Sequence, residues 1–308
     1  MSEGVEDQGS AGDRAEAIAS MAAPTTAIGT AAIAAMAAPT TATAAPAKLP
    51  GAQADAPRAA QASRPSPTTA GTIKSFVRRK GRMTIAQRDA LTRDWSRFGI
   101  EWPCALDEPA RWFAQDLPVV MEIGFGNGEA LAAAAAADPA RNYLGVEVHL
   151  PGVGHLLHIL TGRDIDNVRI LCADAVAVLR QSIASGSLDE VRLYFPDPWP
   201  KTKQKKRRIV QPDFIELIAS RLKPGGHFHL ATDWQQYARW MRKLIDPSPL
   251  FINSGGESGY VPKPDGRIET HFERRGLKLG HGVWDLVYVR SDIVADPEQS
   301  SARDKYQI

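Results

Sequence analysis

The chain has 308 residues and a formal charge of only +2, with 37 Lys and Arg against 35 Asp and Glu, and it holds two cysteines, Cys104 and Cys172. Two such cysteines make neither a disulfide framework nor a metal-ligand spacing, and no stretch is long and apolar enough to span a bilayer, so a cytoplasmic chain without membrane contact is expected. Composition shifts near residue 71: residues 1–70 lack Phe, Trp, Tyr and His and are dominated by Ala, Thr, Pro, Gly and Ser.

That first stretch cannot bury enough apolar surface to offset the entropy of ordering, so residues 1–70 are expected to form a disordered arm. Its Ala-rich run from Ala15 to Ala38 does not read as a signal peptide. Glu3, Glu6, Asp7, Asp13 and Glu16 stand where a secretory sequence would be basic, and Pro24 interrupts the run. Residues 71–308 carry 33 cations against 29 acids and are read as one mildly basic domain with its core at about 117–290.

In chain order, a basic cluster of Arg78, Arg79, Lys80 and Arg82 leads in. From Leu117 short apolar runs alternate with helical ones, the pattern of a mostly parallel sheet with crossover helices. The predicted strands are Pro118–Gly124, Asn142–Val148, Val168–Asp174, Glu190–Pro196 and His227–Asp233. Between them fall helices at Glu129–Ala137, Val153–Thr161, Ala175 to about Ser185 and Gln211–Leu222, the last stopped by Lys223-Pro224-Gly225-Gly226. A helix at Trp234–Leu244 follows. Ile268–Gly276 and Gly282–Arg290 are expected to pair as closing antiparallel strands.

Two places carry chemistry. After the first strand, Glu122-Ile123-Gly124-Phe125-Gly126-Asn127-Gly128-Glu129 opens a helix, and its glycines let the backbone approach a ligand. The spacing is G-x-G-x-G rather than the dinucleotide G-x-G-x-x-G, and Glu129 would repel a pyrophosphate, so a ligand without phosphates and with a positive group is favoured. Glu147 and Asp174 end the next two strands, where acids can accept hydrogen bonds from ribose hydroxyls and from an exocyclic amine. Each is equally readable as a local cap, Asp174 for the helix starting at Ala175. Three acids at three successive strand ends resemble the S-adenosylmethionine site of Rossmann-like methyltransferases, with Glu122 near the methionine amine and Gly124, Gly126 and Gly128 beside the cofactor.

The second place is Tyr194–Arg208, YFPDPWPKTKQKKRR. Pro196 and Pro198 stiffen the backbone around Asp197, so its carboxylate is aimed. Lys201, Lys203, Lys205, Lys206, Arg207 and Arg208 follow, six cations in eight residues, suited to phosphates or readable as a solvated loop. His149, His155 and His158 lack an acid or Cys that would complete a metal site, so no metal is expected.

EIGFGNGE, GVEVH, FPDPWPKTKQKKRR, ATDW, THFERRG and LGHGVWDL, in this order, resemble the tRNA (guanine-N7-)-methyltransferase family of the TrmB type over about Ser75 to Arg290. The resemblance implies a class I S-adenosylmethionine-dependent methyltransferase fold, α/β with an antiparallel C-terminal strand, and methyl transfer to N7 of a guanosine in the variable loop of tRNA. It makes Glu122, Glu147, Asp174 and Asp197 cofactor-site acids, Asp197 the catalytic residue, and Lys201, Asp233, Thr270, His271, Phe272 and Glu273 substrate-binding positions. Lys203, Lys205, Lys206, Arg207 and Arg208 become the RNA-contacting stretch, with the enzyme acting as a single chain, monomer or homodimer. Asp197, Asp233 and Glu273 are candidates to accept from guanine N1–H and its N2 amine, and Trp199, Trp234 or Phe272 to stack on the base. Competing readings are another RNA methyltransferase, an NAD-type oxidoreductase on the same glycine loop, and a non-catalytic RNA-binding module.

Overall fold

Val119–Ile123 (β1), Asn142–Val146 (β2), Val168–Leu171 (β3) and Leu188–Tyr194 (β4) form the parallel strands that the apolar runs predict. β1 and β2 are buried along their whole length, as strands covered on both faces must be. The computed structural model describes residues 75–76, 82–265, 267–270, 273–274, 276, 280 and 282–293. All lie in one of the two units into which the chain divides, Ser66–Ile308; the arm expected at residues 1–70, Arg78, Arg79, Lys80, His271 and Phe272 fall outside the described residues.

The helices are Ile85–Phe98 (α1), Glu129–Ala137 (α2), Leu150–Gly162 (α3), Ala175–Gln181 (α4), Pro212–Arg221 (α5) and Gln235–Ile245 (α6). With Leu222–Thr232 (β5), Phe251–Asn253 (β6) and Trp284–Arg290 (β7) they build a seven-stranded sheet of order β3-β2-β1-β4-β5-β7-β6. Only β7 runs antiparallel to its neighbours. One apolar cluster joins β1, β4 and β5 to α4, α5 and α6, and a second joins β1, β2 and β3 to α1, α2 and α3. Strand order reverses between β1 and β4, which opens a crevice at their carboxyl ends.

Four features depart from the sequence reading. β7 pairs with β6, not with Ile268–Gly276: Thr270 and Glu273 cap one another, and Glu273, Arg274 and Gly276 are helical. The Lys223–Gly226 stop lies inside β5, as a bulge where Asp189 alone separates the pairs Leu188↔Leu222 and Glu190↔His227. α1 is absent from the sequence reading because its buried stripe is a single row, Ala90, Asp94 and Phe98, too thin for an amphipathic pattern. It is started by a capping box in which Thr84 and Gln87 exchange backbone and side-chain hydrogen bonds of 2.9 and 3.2 Å.

The fourth departure concerns polarity. Glu190, Arg192 and His229 alternate with apolar residues as if their face met water, yet all three are buried. Glu122, Arg192 and His229 stand in register across β1, β4 and β5, and ion pairs replace the water: Arg192 Nε donates to Glu190 Oε1 at 2.6 Å. Among the described residues no helix is long and apolar enough to cross a membrane.

Candidate active site

The crevice between β1 and β4 gathers six of the seven predicted cofactor residues, together with Thr270. Gly124, Gly126 and Gly128 have φ of 73, 63 and 77°, a left-handed region that a side chain resists, so the loop after β1 can curl over the first turn of α2. Gly152 lets α3 abut this loop: a Cβ there would sit 1.9 Å from Gly126 O. Glu147, just past β2, clamps the loop from the other side, accepting from Gly126 N–H at 2.9 Å and from Val148 and His149 N–H at 2.6 and 3.0 Å.

Two adjoining cavities result. One of about 420 Å³ is lined by Glu122, the glycine loop, Tyr194, Phe195 and Thr270. The other, about 380 Å³, is lined by Glu147, Asp174, Ser75, Phe76, Phe195 and Asp197. Gly124, Gly126, His149, Tyr194 and Phe195 border both, so the two form one elongated cleft. Gly128 does not line it; a Cβ there would meet Leu156 at 2.6 Å, and its work is the turn and the packing of α2 on α3.

Glu122 is 4% exposed, and burial pushes its carboxyl up to about 7, helped by the negative Glu190 and Glu147 and opposed by Arg192. Asp174 caps α4, accepting from Val176 N–H at 2.9 Å, while also lining the cleft; the two readings of this residue are compatible. Asp197 is exposed at the cleft mouth. The loop that carries it is strained at both ends, with φ of 49° at Phe195 and 41° at Trp199, conformations that cost energy and cluster at functional sites. Trp199 Nε1–H donates to Ser75 O at 3.1 Å, and the Arg207 guanidinium lies 3.9 Å over its ring, so one face of Trp199 is already covered.

The cations form a 3-10 helix at Thr202–Arg207. Lys201, Lys203 and Lys206 are exposed, Lys205 and Arg207 partly so. Arg208 is different: at 2% exposure it sits 4.8 and 5.2 Å from the Tyr237 and Trp240 rings and donates Nε–H to Pro198 O at 2.8 Å. Desolvating this guanidinium against two rings and a carbonyl withdraws it from the surface where the sequence reading had it.

Beyond β5, Asp233 is half-buried and packs close to Gly276, where a Cβ would come to 3.0 Å from Asp233 Oδ2. Glu273 is buried, with Arg267 donating to both its oxygens at 2.6 and 2.9 Å and Lys263 adding a bond of 3.1 Å. Burial raises its carboxyl and these cations more than offset that, holding it below the usual range. The structure therefore leaves Glu273 out of the cleft, while Thr270 lines it. Trp234 is half-buried against the core at the start of α6.

Sequence reasoning missed Tyr194, Phe195, Ser75 and Phe76 as cleft walls; the signal for Tyr194 and Phe195 was their place beside Asp197, whereas Ser75 and Phe76 are remote from it in the chain. Among the described residues no group of His, Cys, Asp or Glu is gathered to hold a metal, and His155 Nδ1 instead meets Asn127 O at 2.8 Å.

A family model described as "Putative methyltransferase" matches residues 116–286. A tRNA (guanine-N(7)-)-methyltransferase of Xanthomonas oryzae pv. oryzae is 51% identical over 218 residues, 71% of this chain and 86% of its own length. The enzyme of that name from Alcanivorax borkumensis is 50% identical over 70% of this chain and 90% of its own. Among solved structures, the 16S rRNA methyltransferase KamB is 15% identical, with a TM-score of 0.46 over 63% of this chain and 99% of that one. A doubly wound sheet with its cleft at the switch point, the strand-end acids along that cleft and half-identical relatives spanning most of the chain agree: the chain belongs to the tRNA (guanine-N7-)-methyltransferase family.

Proposed function

We propose that this protein transfers the methyl group of S-adenosylmethionine to N7 of a guanosine in the variable loop of tRNA. The observation that carries this reading is a single cleft lined by Glu122, Glu147, Asp174 and Asp197, with a surface run of cations following Asp197 directly. The donor set suits the cofactor, which presents an ammonium, a ribose diol and an exocyclic amine to acceptors. Glu122, buried and near neutrality, gains most from an adjacent cation. Glu147, oriented by three backbone N–H groups, keeps one acceptor site on Oε2 for a ribose hydroxyl, and Asp174 keeps Oδ2 for the amine. When bound, the cofactor's sulfonium supplies an electrophilic methyl group.

Guanine N7 carries a free lone pair, so neither a general base nor a metal is needed, and this chain's residues act by positioning and electrostatics. Asp197, at the cleft mouth, is the catalytic residue in this reading, holding guanine, the cofactor amine or both and stabilising positive charge. Asp233 is the second candidate for the N1–H and N2 donor pair; Glu273 is not, because its acceptors are taken. Adenine would leave such an acid unpaired, a discrimination of about 1 to 3 kcal/mol. Lys201, Lys203, Lys205, Lys206 and Arg207 hold the RNA backbone, and the enzyme works in the cytoplasm as a single chain, monomer or homodimer. Incubation with cofactor and a tRNA pool is expected to yield N7-methylguanosine in nucleoside mass spectrometry; no product with any tRNA would end this reading.

A further inference from the structure

One buried guanidinium lies against both loops that flank the cleft. Arg267, its side chain 1% exposed, reaches Glu273 through both terminal nitrogens at 2.6 and 2.9 Å. Glu273 in turn accepts from Thr270 N–H at 3.4 Å and donates its own N–H to Thr270 Oγ1 at 3.1 Å, so the guanidinium fixes the segment that brings Thr270 to the cleft. The other face of Arg267 looks at the Asp197 loop. Its Cζ lies 5.8 Å from the Phe195 ring and 5.9 Å from the Tyr194 ring. Phe195 is the strained residue that starts the loop.

The tether is anchored on the sheet. Arg267 Nη2 donates to Asp285 Oδ2 at 2.9 Å, and its Nε lies 2.6 Å from Asp285 Oδ1. The same Asp285 meets His229 Nε2 at 2.9 Å, and His229 Nδ1 meets the Tyr194 hydroxyl at 2.9 Å. The Asp285 carboxylate can only accept, so His229 Nε2–H donates to it, while Nδ1 and the Tyr194 hydroxyl share the second hydrogen bond. β4, β5 and β7 are thus joined by side chains that close on Arg267. Such a planar fork, bonded to two carboxylates with two rings within cation–π range, is not interchangeable with a lysine.

We propose that Arg267 is a positioning residue for methyl transfer: without touching cofactor or base, it sets the Asp197 loop and the Thr270 segment at a fixed separation across the cleft. The proposal rests on the methyltransferase reading, and its test has one arm that does not need activity. In the full chain, Arg267→Lys keeps the charge and loses the fork. The single-turnover methylation rate is expected to fall by about 10- to 100-fold, the cost of a small misplacement, with cofactor Kd by calorimetry unchanged.

Glu273→Gln, which keeps the shape of the site, should lower the rate in the same direction, and it stands in if Arg267→Lys does not fold. Hydrogen exchange in Arg267→Lys is expected to quicken at Phe195 and at Thr270, Glu273 and Arg274 together, whose amides are hydrogen-bonded in the two loops, with β1 to β3 unaffected. An unchanged rate, a parallel loss of rate and cofactor affinity, or quickening in one loop only or across the whole sheet would overturn the tether. A wild-type chain that methylates no tRNA would overturn the methyltransferase reading, while the exchange arm still decides whether Arg267 couples the loops.

Discussion

Glu122 carries opposed demands. Its carboxyl is raised from 4.5 to about 7 by burial, so between those pH values the folded chain holds a proton that the unfolded chain has released, and stability falls as pH rises through the window. The loss amounts to about 3 kcal/mol. Glu122→Gln should remove that loss: the ligand-free variant is expected to be more stable than wild type at pH 8 by up to about 3 kcal/mol and little different at pH 4.5, by urea unfolding at both. An ammonium ligand prefers the ionised acid, so the variant should also bind cofactor more weakly, and wild-type affinity should tighten as pH rises past 7. Equal stability of the two proteins at pH 8 would refute the assignment. Asp197 differs, being exposed and outside the core. Asp197→Ala should leave thermal unfolding unchanged and lower single-turnover methylation by at least about 100-fold, with a much smaller loss of tRNA affinity in filter binding.

The cationic 3-10 helix shows how one element divides between surface and interior. Lys203 and Lys206 are exposed, whereas Arg208, the residue that ends the turn, is buried against Tyr237 and Trp240 of α6. Replacing Lys203 and Lys206 together by Gln is expected to lower the slope of log affinity for tRNA against log salt by about one unit per lysine, without changing cofactor affinity. Arg208→Gln should instead cost about 2 kcal/mol of stability through lost ring contacts and an unmade hydrogen bond, read as a lower melting temperature. A steeply altered salt slope at unchanged stability for Arg208→Gln would return it to the RNA-binding face. In the sequence these cations are equivalent letters in a run; what separates them is whether helix α6 stands behind the side chain. The same applies to THFE, whose spacing reads as a strand by alternation or as a capping box by its Thr and Glu, and only the buried Arg267 beside it selects the second.

At the scale of the whole molecule, every described apolar core residue lies between Ala90 and Tyr288. Deleting residues 1–65, the first of the two units, should therefore shift the melting temperature by less than about 2 °C and leave cofactor affinity intact; a large drop in either would show that the arm completes the fold. The sheet itself was legible from the sequence where a strand is buried and mostly apolar, as in β1 and β2, buried at every residue, and in β3, where Arg169 alone is partly exposed. The glycine loop and the strand-end acids were legible for a related reason: a ligand at a switch point constrains residues adjacent in the chain to strands already identified. The three-residue β6, single-striped α1 and the bulge opening β5 were not, since each draws its stability from neighbours distant in sequence rather than from its own pattern.

By itself the sequence determined the parallel core, the place of the cleft, the acids that end β1, β2 and β3, and the family. Tertiary structure alone decided which polar residues line the cleft and which face one another. Glu190, Arg192, His229, Arg267, Glu273 and Asp285 are charged or titratable side chains that sequence would send to water or to substrate, yet they are buried together. The physical reason is that a buried charge is tolerated only beside its partner, and those partners, brought from β4, β5, β7 and the loop before β7, are far apart along the chain.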